Sequence, residues 1–348
     1  YLADHLIQEQ RGKGEEYRRG TLQKYLSYVR EGRDFPLTEF RGRESAATEA
    51  VGYGKALMGF HMVRRHVGDA AFRKTLARFY TDFRGKRATF DDFRATAEAV
   101  SGKPLAWLFD GWVKRAGAAE LVLGPATVAR DGEKWKVTGT LRQVQKDAPF
   151  PLEVPLSVVT EKGTVRHVAR LEGAEARFEI ATDAPPLSLA ADPQFDLFRK
   201  LDPREIPPSI GQVFGEPKVL AILPSGLPPE EDAAWHALLK GWETPTHAIE
   251  VKAEADVSSL PADRAIWVVG KGNRFASLFT TQEGLAVDAN DLTALGEKVA
   301  LAGHTFVVVA RHPGDPAKAV GWLFGDPLAA HGNATTGTLA LMTGTYMA

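Results

Sequence analysis

The densest chemistry in the sequence lies in Val51-Gly52-Tyr53-Gly54-Lys55-Ala56-Leu57-Met58-Gly59-Phe60-His61-Met62. A phenol and an amine stand two residues apart there, beside Gly52, Gly54 and Gly59, and only His61 interrupts the apolar run that follows. A helix that is apolar all round is buried, and each interior glycine costs roughly 1 kcal/mol relative to alanine. The glycines therefore predict close approach of another backbone or of a ligand. Alternatively the helix starts only near Tyr53, which places Tyr53 and Lys55 at a mouth. Local spacing leaves open whether Tyr53 is a packed core tyrosine or faces chemistry.

Other reactive groups form no site of their own. The chain has nine histidines, none in the H-E-x-x-H arrangement that holds zinc on one helix. His61 and His66 are five residues apart, about 500° of helical rotation, and do not share a face. The absence of cysteine removes disulfides, thiolate zinc sites and cysteine nucleophiles, without identifying a compartment. No G-x-S-x-G elbow occurs, and Ser225-Gly226 lies in a Pro-rich turn. Gly270-Lys271-Gly272-Asn273-Arg274 follows an apolar strand, where α/β folds bind anions, but it is neither a dinucleotide fingerprint nor a P-loop. It reads first as a strand-to-helix turn.

The elements that must position these residues change character along the chain. Residues 1–118 read as about six helices. Leu22, Tyr25, Leu26 and Val29 fall at helical spacing within 15–29, and Phe72, Leu76, Phe79 and Tyr80 within 70–83. Residues 32–40 read as a loop. Thr89-Phe90-Asp91-Asp92 has the form of a capping box with aspartate in place of glutamate, and the helix it starts ends at Gly102. Ser101-Gly102-Lys103-Pro104 opens a helix bearing Trp107, Phe109 and Trp112. From 120 to about 192 the period becomes two, as in Leu152, Val154 and Leu156, with turns at Asp131-Gly132 and Asp183-Ala184-Pro185-Pro186; this predicts an antiparallel β-sandwich. Residues 203–208 read as a linker. Val219 to Leu223, Ala265 to Val269 and Phe306 to Ala310 are continuous apolar runs of buried strands, and 290–302 reads as a helix between two of them. The third domain is thus α/β with a mostly parallel sheet.

A chain of 348 residues exceeds one ordinary core. The division expected is 1–118 helical, 119–202 β-sandwich and 203–348 α/β. Net charge is −1, so no global field recruits nucleic acid or membrane. Residues 1–118 hold 22 Lys and Arg against 15 Asp and Glu, and the remainder 21 against 29. Opposite signs suit segments that dock on each other or have separate roles, and equally suit ordinary solvated surfaces, which is the first reading. No apolar run is long enough to span a membrane. The chain opens at Tyr1-Leu2-Ala3-Asp4, without methionine and already in a helical pattern, and ends at Tyr346-Met347-Ala348 just after an apolar run; both ends read as cut from something longer.

An ordered series from Tyr53 to Trp112 resembles the later catalytic domain of the gluzincin zinc aminopeptidases, the aminopeptidase N-like family (peptidase family M1). Tyr53-Gly54-Lys55-Ala56 opens a buried helix. Val67-Gly68-Asp69-Ala70-Ala71-Phe72 makes a corner. Phe79-Tyr80, Thr89, Asp92-Phe93 and Ser101-Gly102-Lys103-Pro104-Leu105 follow, then an aromatic helix ending at Trp112. Ala56 stands where the family usually has glycine. Asp192-Pro193, with Leu197-Phe198 after it, is similar to the Asp-Pro that closes the family's β-sandwich. Tyr1 to Leu6 resembles the helix that follows the third zinc ligand. The resemblance covers about 200 of the 348 residues, and the 203–348 domain does not look like the helical solenoid of larger members.

The resemblance implies a fold: the all-α end of a thermolysin-like catalytic domain, followed by a β-sandwich. It implies that the tyrosine role falls on Tyr53, whose hydroxyl would hydrogen-bond the oxyanion of the tetrahedral intermediate. It implies zinc as cofactor of the complete protein, polarising the carbonyl and activating water, with its ligands upstream of residue 1. The chain is then expected to be the C-terminal portion of a bacterial aminopeptidase-like protein, periplasmic or cytoplasmic. Its partners would be a peptide substrate and the upstream part of its own catalytic domain; the fragment itself would be inactive and zinc-free. The alternative is a non-catalytic relative whose α/β domain binds a ligand, a nucleotide among the candidates, or a protein partner.

Overall fold

The computed structural model describes residues 1–29, 34–245, 247–280, 285–294 and 296–325. It divides the chain into two compact units, Tyr1–Asp202 and Pro203–Ala348. Part of the 32–40 loop and the apolar run before Tyr346 lie outside the described residues.

The first unit opens with helices α1 (His5–Gln10), α2 (Gly14–Tyr28) and α3 (Ala46–Glu49). Ser45 caps α3: its hydroxyl accepts from the Thr48 amide, and Thr48 Oγ1 accepts from the Ser45 amide. The helix then widens into a π turn over Ala50–Lys55 before continuing as α4 (Ala56–Val67). Gly68 ends α4 with φ of 91°, and Arg64 and Arg65 lie in its last turn, where they complement the dipole. Helix α5 is Asp69–Phe83. Helix α6 (Phe90–Ser101) starts on the Thr89–Asp92 capping box and ends on Gly102 in the left-handed region, both as the sequence predicts. Helix α7 (Ala106–Trp112) begins beyond Pro104 rather than on it.

Strands follow directly. They are β1 (Ala119–Leu123), β2 (Thr127–Asp131), β3 (Lys134–Gln143), β4 (Leu152–Thr160), β5 (Gly163–Leu171), β6 (Glu175–Thr182), β7 (Pro186–Ala191) and β8 (Arg199–Lys200). One sheet runs β2-β3-β1-β8, with β6 also on β3; the other runs β5-β4-β7. Every pairing is antiparallel except β1 with β8. Leu152, Val154, Leu156 and Val158 are buried in period two along β4. Trp112 joins helices to strands, stacked on Phe150 at 4.6 Å and edge-on to Phe198 at 5.6 Å.

The second unit holds α8 (Ile210–Phe214), β9 (Lys218–Leu223), α9 (Pro229–Gly241), β10 (Ala248–Ala253), β11 (Ala265–Val269), α10 (Ser277–Thr280), β12 (Leu285–Val287), β13 (Asp291–Ala294), β14 (Glu297–Ala300), β15 (Thr305–Arg311) and β16 (Ala319–Gly325). Its main sheet runs β10-β9-β11-β16-β15, parallel except for β15 against β16. Both faces are covered. Val219, Ala221 and Leu223 pack with Trp235 and Trp267 on one side, and Leu220 and Ile222 with Phe279 and Trp322 on the other. That explains why these strands read as unbroken apolar runs.

One element is corrected. Residues 290–302 are not a helix: β13 and β14 form an antiparallel hairpin, extended by β12. Gly296, at φ of 86°, takes a backbone geometry that helices do not use. Leu292 is buried, alone among the described residues of this stretch, and it packs in the core on the second face of the main sheet.

Candidate functional site

Tyr53 and Lys55 are brought to opposite fates by their spacing. Two residues along a helical turn, α or π, carry side chains close to half-way round, so the two leave on opposite faces. Tyr53 is 59 % exposed, whereas Lys55 is 1 % exposed. The expectation that both stand at a mouth is therefore corrected for Lys55. Its Nζ donates to the carbonyls of Arg115 (2.7 Å) and Gly117 (3.2 Å), in the segment joining α7 to β1. Asp34 reinforces the joint by accepting from the Tyr25 hydroxyl (2.7 Å) and from the Gly117 amide. Burial holds the Lys55 amine down to about 8; Asp34 pulls it up and Arg115 pushes it further down. The lysine is an anchor that ties the π turn to the base of the sandwich.

The glycines divide as well. A β-carbon on Gly52 would lie 2.1 Å from the Phe40 ring, and one on Gly54 would meet Thr21 Cγ2 at 3.2 Å. Close approach thus accounts for Gly52 and, more loosely, Gly54. The approaching group is a side chain, not a backbone. Gly59 has nothing within 4 Å and is not required by packing. The Phe40 ring that needs Gly52 also stands edge-on to the Tyr53 ring (5.7 Å, 84°), so it supports one side of the exposed phenol.

His61, the lone polar residue of the apolar run, is a bonded core histidine. Its Nε2 is 2.8 Å from Asp196 Oδ1 and its Nδ1 is 3.2 Å from the Tyr1 hydroxyl. Arg18 lies 3.3 Å from the same Asp196 oxygen, donates to the Gln194 and Phe195 carbonyls, and meets His5 Nε2 at 2.9 Å. Burial lowers the pKa of His61 against the upward pull of Asp196, and takes His5 down to about 4. The Asp192-Pro193 corner sits beside this network. The Asp192 carboxylate accepts from the Asp196 amide and Arg199 Nε, closing the turn that presents Asp196. Nothing in local spacing foretells that α1, α2, α4 and residues 192–199 converge. His66 goes elsewhere, with Nδ1 2.7 Å from Glu153.

In the second unit, β9 connects outward to β10 on one side and β11 lies on its other side, so their carboxyl ends flank a topological switch point. The Gly270 turn lies there. Its anion position is taken by the chain's own Glu254, which accepts from the amides of Ser225 (3.3 Å) and Arg274 (2.7 Å). Asn273 Nδ2 closes the base by donating to the Ile222 and Val269 carbonyls. A phosphate would have to displace that carboxylate, so the turn is the structural strand exit expected of it.

Among the described residues, no group of three or more His, Cys, Asp or Glu side chains is arranged to hold a metal ion. Nor, among those residues, is any helix long and apolar enough to cross a membrane.

No protein-family profile matches the chain. A stretch of 118 residues, 33 % of the chain, is 27 % identical to Tricorn protease-interacting factor F2 of Thermoplasma acidophilum, covering 14 % of that protein. A stretch of 106 residues, 30 % of the chain, is 24 % identical to Probable aminopeptidase 2 of Sulfurisphaera tokodaii, again covering 14 % of it. The chain therefore matches about one seventh of the length of these curated relatives, and both are archaeal. Among solved structures it is similar to Legionella pneumophila aminopeptidase A in complex with aspartic acid, at 17 % identity and a TM-score of 0.39, over 55 % of this chain and 23 % of that one. One of these distant curated relatives is thus named as a probable aminopeptidase and the other as a factor that interacts with a protease.

Proposed function

We propose that the chain is part of a zinc-dependent aminopeptidase-like protein of the gluzincin kind, and that Tyr53 donates its hydroxyl to the oxyanion formed during peptide-bond hydrolysis. One observation carries this reading. Tyr53 is the exposed member of a Tyr-x-Lys pair whose lysine is buried and doubly hydrogen-bonded, on a π turn that interrupts a long helix. Single π turns recur at functional sites. A phenol held by its backbone and open to solvent suits an acceptor whose charge develops only in the transition state.

Among the described residues none are arranged to hold a metal ion, and the role assigned to this chain in the reaction is that of Tyr53. The zinc ligands then belong to sequence outside these 348 residues. Zinc would supply Lewis-acid polarisation of the carbonyl and an activated water. The substrate would be a peptide with a free N-terminus, and the chain would work against the upstream part of its own catalytic domain.

In the complete protein, Tyr53→Phe is expected to lower kcat by about 10²–10³-fold, with zinc content and melting temperature unchanged. Hydrolysis of an amino-acyl anilide together with metal analysis checks this, and a variant of undiminished kcat removes Tyr53 from the mechanism. The chain alone is expected neither to retain zinc nor to hydrolyse the anilide. Chelator-sensitive activity of the chain alone would overturn the assignment of the ligands.

A further inference from the structure

A sizeable cavity of the first unit lies away from Tyr53, which is not among its lining residues. It measures about 590 Å³ and opens between the helices and the β4–β5 edge of the sandwich. That is within the roughly 300–1,000 Å³ of clefts that hold small molecules. The helical wall supplies Trp107 and Pro104, and the sandwich supplies Pro151 and Leu152, so the lining includes a broad apolar surface. Trp107 is set edge-on to the His66 ring (5.5 Å, 76°), and His66 is bonded across the seam to Glu153.

Charges of both signs flank that apolar lining. Glu153 is already committed, to His66 on one side and to Arg170 Nη2 (3.4 Å) on the other. Lys103 gives one N–H to the His66 carbonyl (2.6 Å), and a lysine ammonium has two more. The Arg170 guanidinium keeps its remaining donors free for a planar carboxylate, the geometry it binds best. Glu172 lines the same cavity and makes no ion pair among the described residues. The uncommitted chemistry is therefore one carboxylate, a set of cationic donors and an aromatic surface.

We infer that this seam cavity binds a small zwitterion with an apolar side chain, a free dipeptide in size. The ligand's carboxylate is taken by Arg170 and Lys103, its ammonium by Glu172, and its side chain lies against Trp107. A ligand carrying both signs engages the carboxylate and the cationic donors together, whereas one of a single sign engages only one set and a fully apolar one neither. The site is distinct from Tyr53, and binding there does not depend on peptide hydrolysis.

The test is calorimetric titration of the full chain with L-leucyl-L-leucine and with its N-acetylated, C-amidated form. The free dipeptide is expected to bind saturably at one site, and the doubly blocked form at least about tenfold more weakly, since two charge-assisted contacts are lost. Arg170→Gln and Glu172→Gln, both at exposed positions and with the fold checked by thermal melt, are each expected to weaken the free dipeptide by about tenfold. Tyr53→Phe is expected to leave its affinity unchanged. The inference is overturned if no saturable binding occurs up to millimolar ligand, if the blocked peptide binds equally, or if the two rim variants bind as tightly as the native chain. It is also overturned if Tyr53→Phe abolishes binding, which would place the ligand at the proposed catalytic site instead.

Discussion

At the scale of single residues, the Tyr-x-Lys pair shows how one spacing yields two roles. Lys55 is buried deeply enough that its amine titrates at about 8 rather than its ordinary 10.5. The unfolded chain keeps the lysine protonated up to that ordinary range. Between the two values the unfolded state therefore binds more protons, and stability rises with pH. The rise is absent below the folded pKa and complete above the unfolded one. Replacing Lys55 by methionine removes the titrating group. Urea unfolding of the native chain at about pH 7.5 and about pH 10 is expected to show a gain that Lys55→Met loses. An equal gain in the variant would mean that the amine is not desolvated as described. The adjacency of Tyr53 and Lys55 was legible in the sequence, and so was an open choice about Tyr53. The carbonyls that bind Lys55 lie some 60 residues away at Arg115 and Gly117, and no local pattern points to them.

Among the elements, the glycines of the helix that holds Tyr53 range from Gly52, required by close approach, through Gly54, more loosely so, to Gly59, which is dispensable. Gly52→Ala pushes a methyl into the Phe40 ring. Phe40 is half-buried and can yield, so a cost of about 1 kcal/mol is expected, at the low end of overpacking. Because the same ring supports Tyr53, the variant is also expected to alter the Tyr53 environment, visible as a shifted ring resonance. Gly59→Ala meets open space in a regular helix and is expected to stabilise the unit by about 0.5–1 kcal/mol. If the two substitutions melt alike, close approach is not what selects glycine at 52. Capped elements were the most readable: the Thr89–Asp92 box and Gly102 bound α6 where the sequence puts them, because caps are local hydrogen bonds. The hairpin of β13 and β14 was misread as a helix because its burial is decided by the sheet face it covers, which lies far away in sequence.

For the whole molecule, the division at residues 202 and 203 predicts two cooperative transitions. Residues 203–348 have their own two-faced core, built round Trp235, Trp267 and Trp322. Expressed alone, that segment is expected to melt cooperatively. Gly321 is the sharpest probe, since a β-carbon there would lie 2.3 Å from the fully buried Trp267 ring, which has nowhere to move. Gly321→Ala is expected to cost about 3 kcal/mol, the upper end of overpacking. In the full chain it should lower one calorimetric transition and leave the other in place; a shift of both would show that the units unfold together.

What the sequence determined by itself is what depends on neighbours along the chain. Helical and strand periods, caps, the Pro-rich break after residue 202 and the buried strands of the second unit follow from side-chain periodicity and backbone preference, which act over a few residues. What only the tertiary structure decided is which polar groups meet. Asp196 under His61 and Glu254 in the Gly270 turn are pairings between distant segments, set when a buried polar group must find a partner wherever the fold supplies one. The same holds for the cavity at the helix–sandwich seam, whose walls belong to segments that packing alone brings together. Tyr53 stands between the two cases. Its spacing from Lys55 is sequence, and its exposure is tertiary, because only packing chose which face of the π turn to bury.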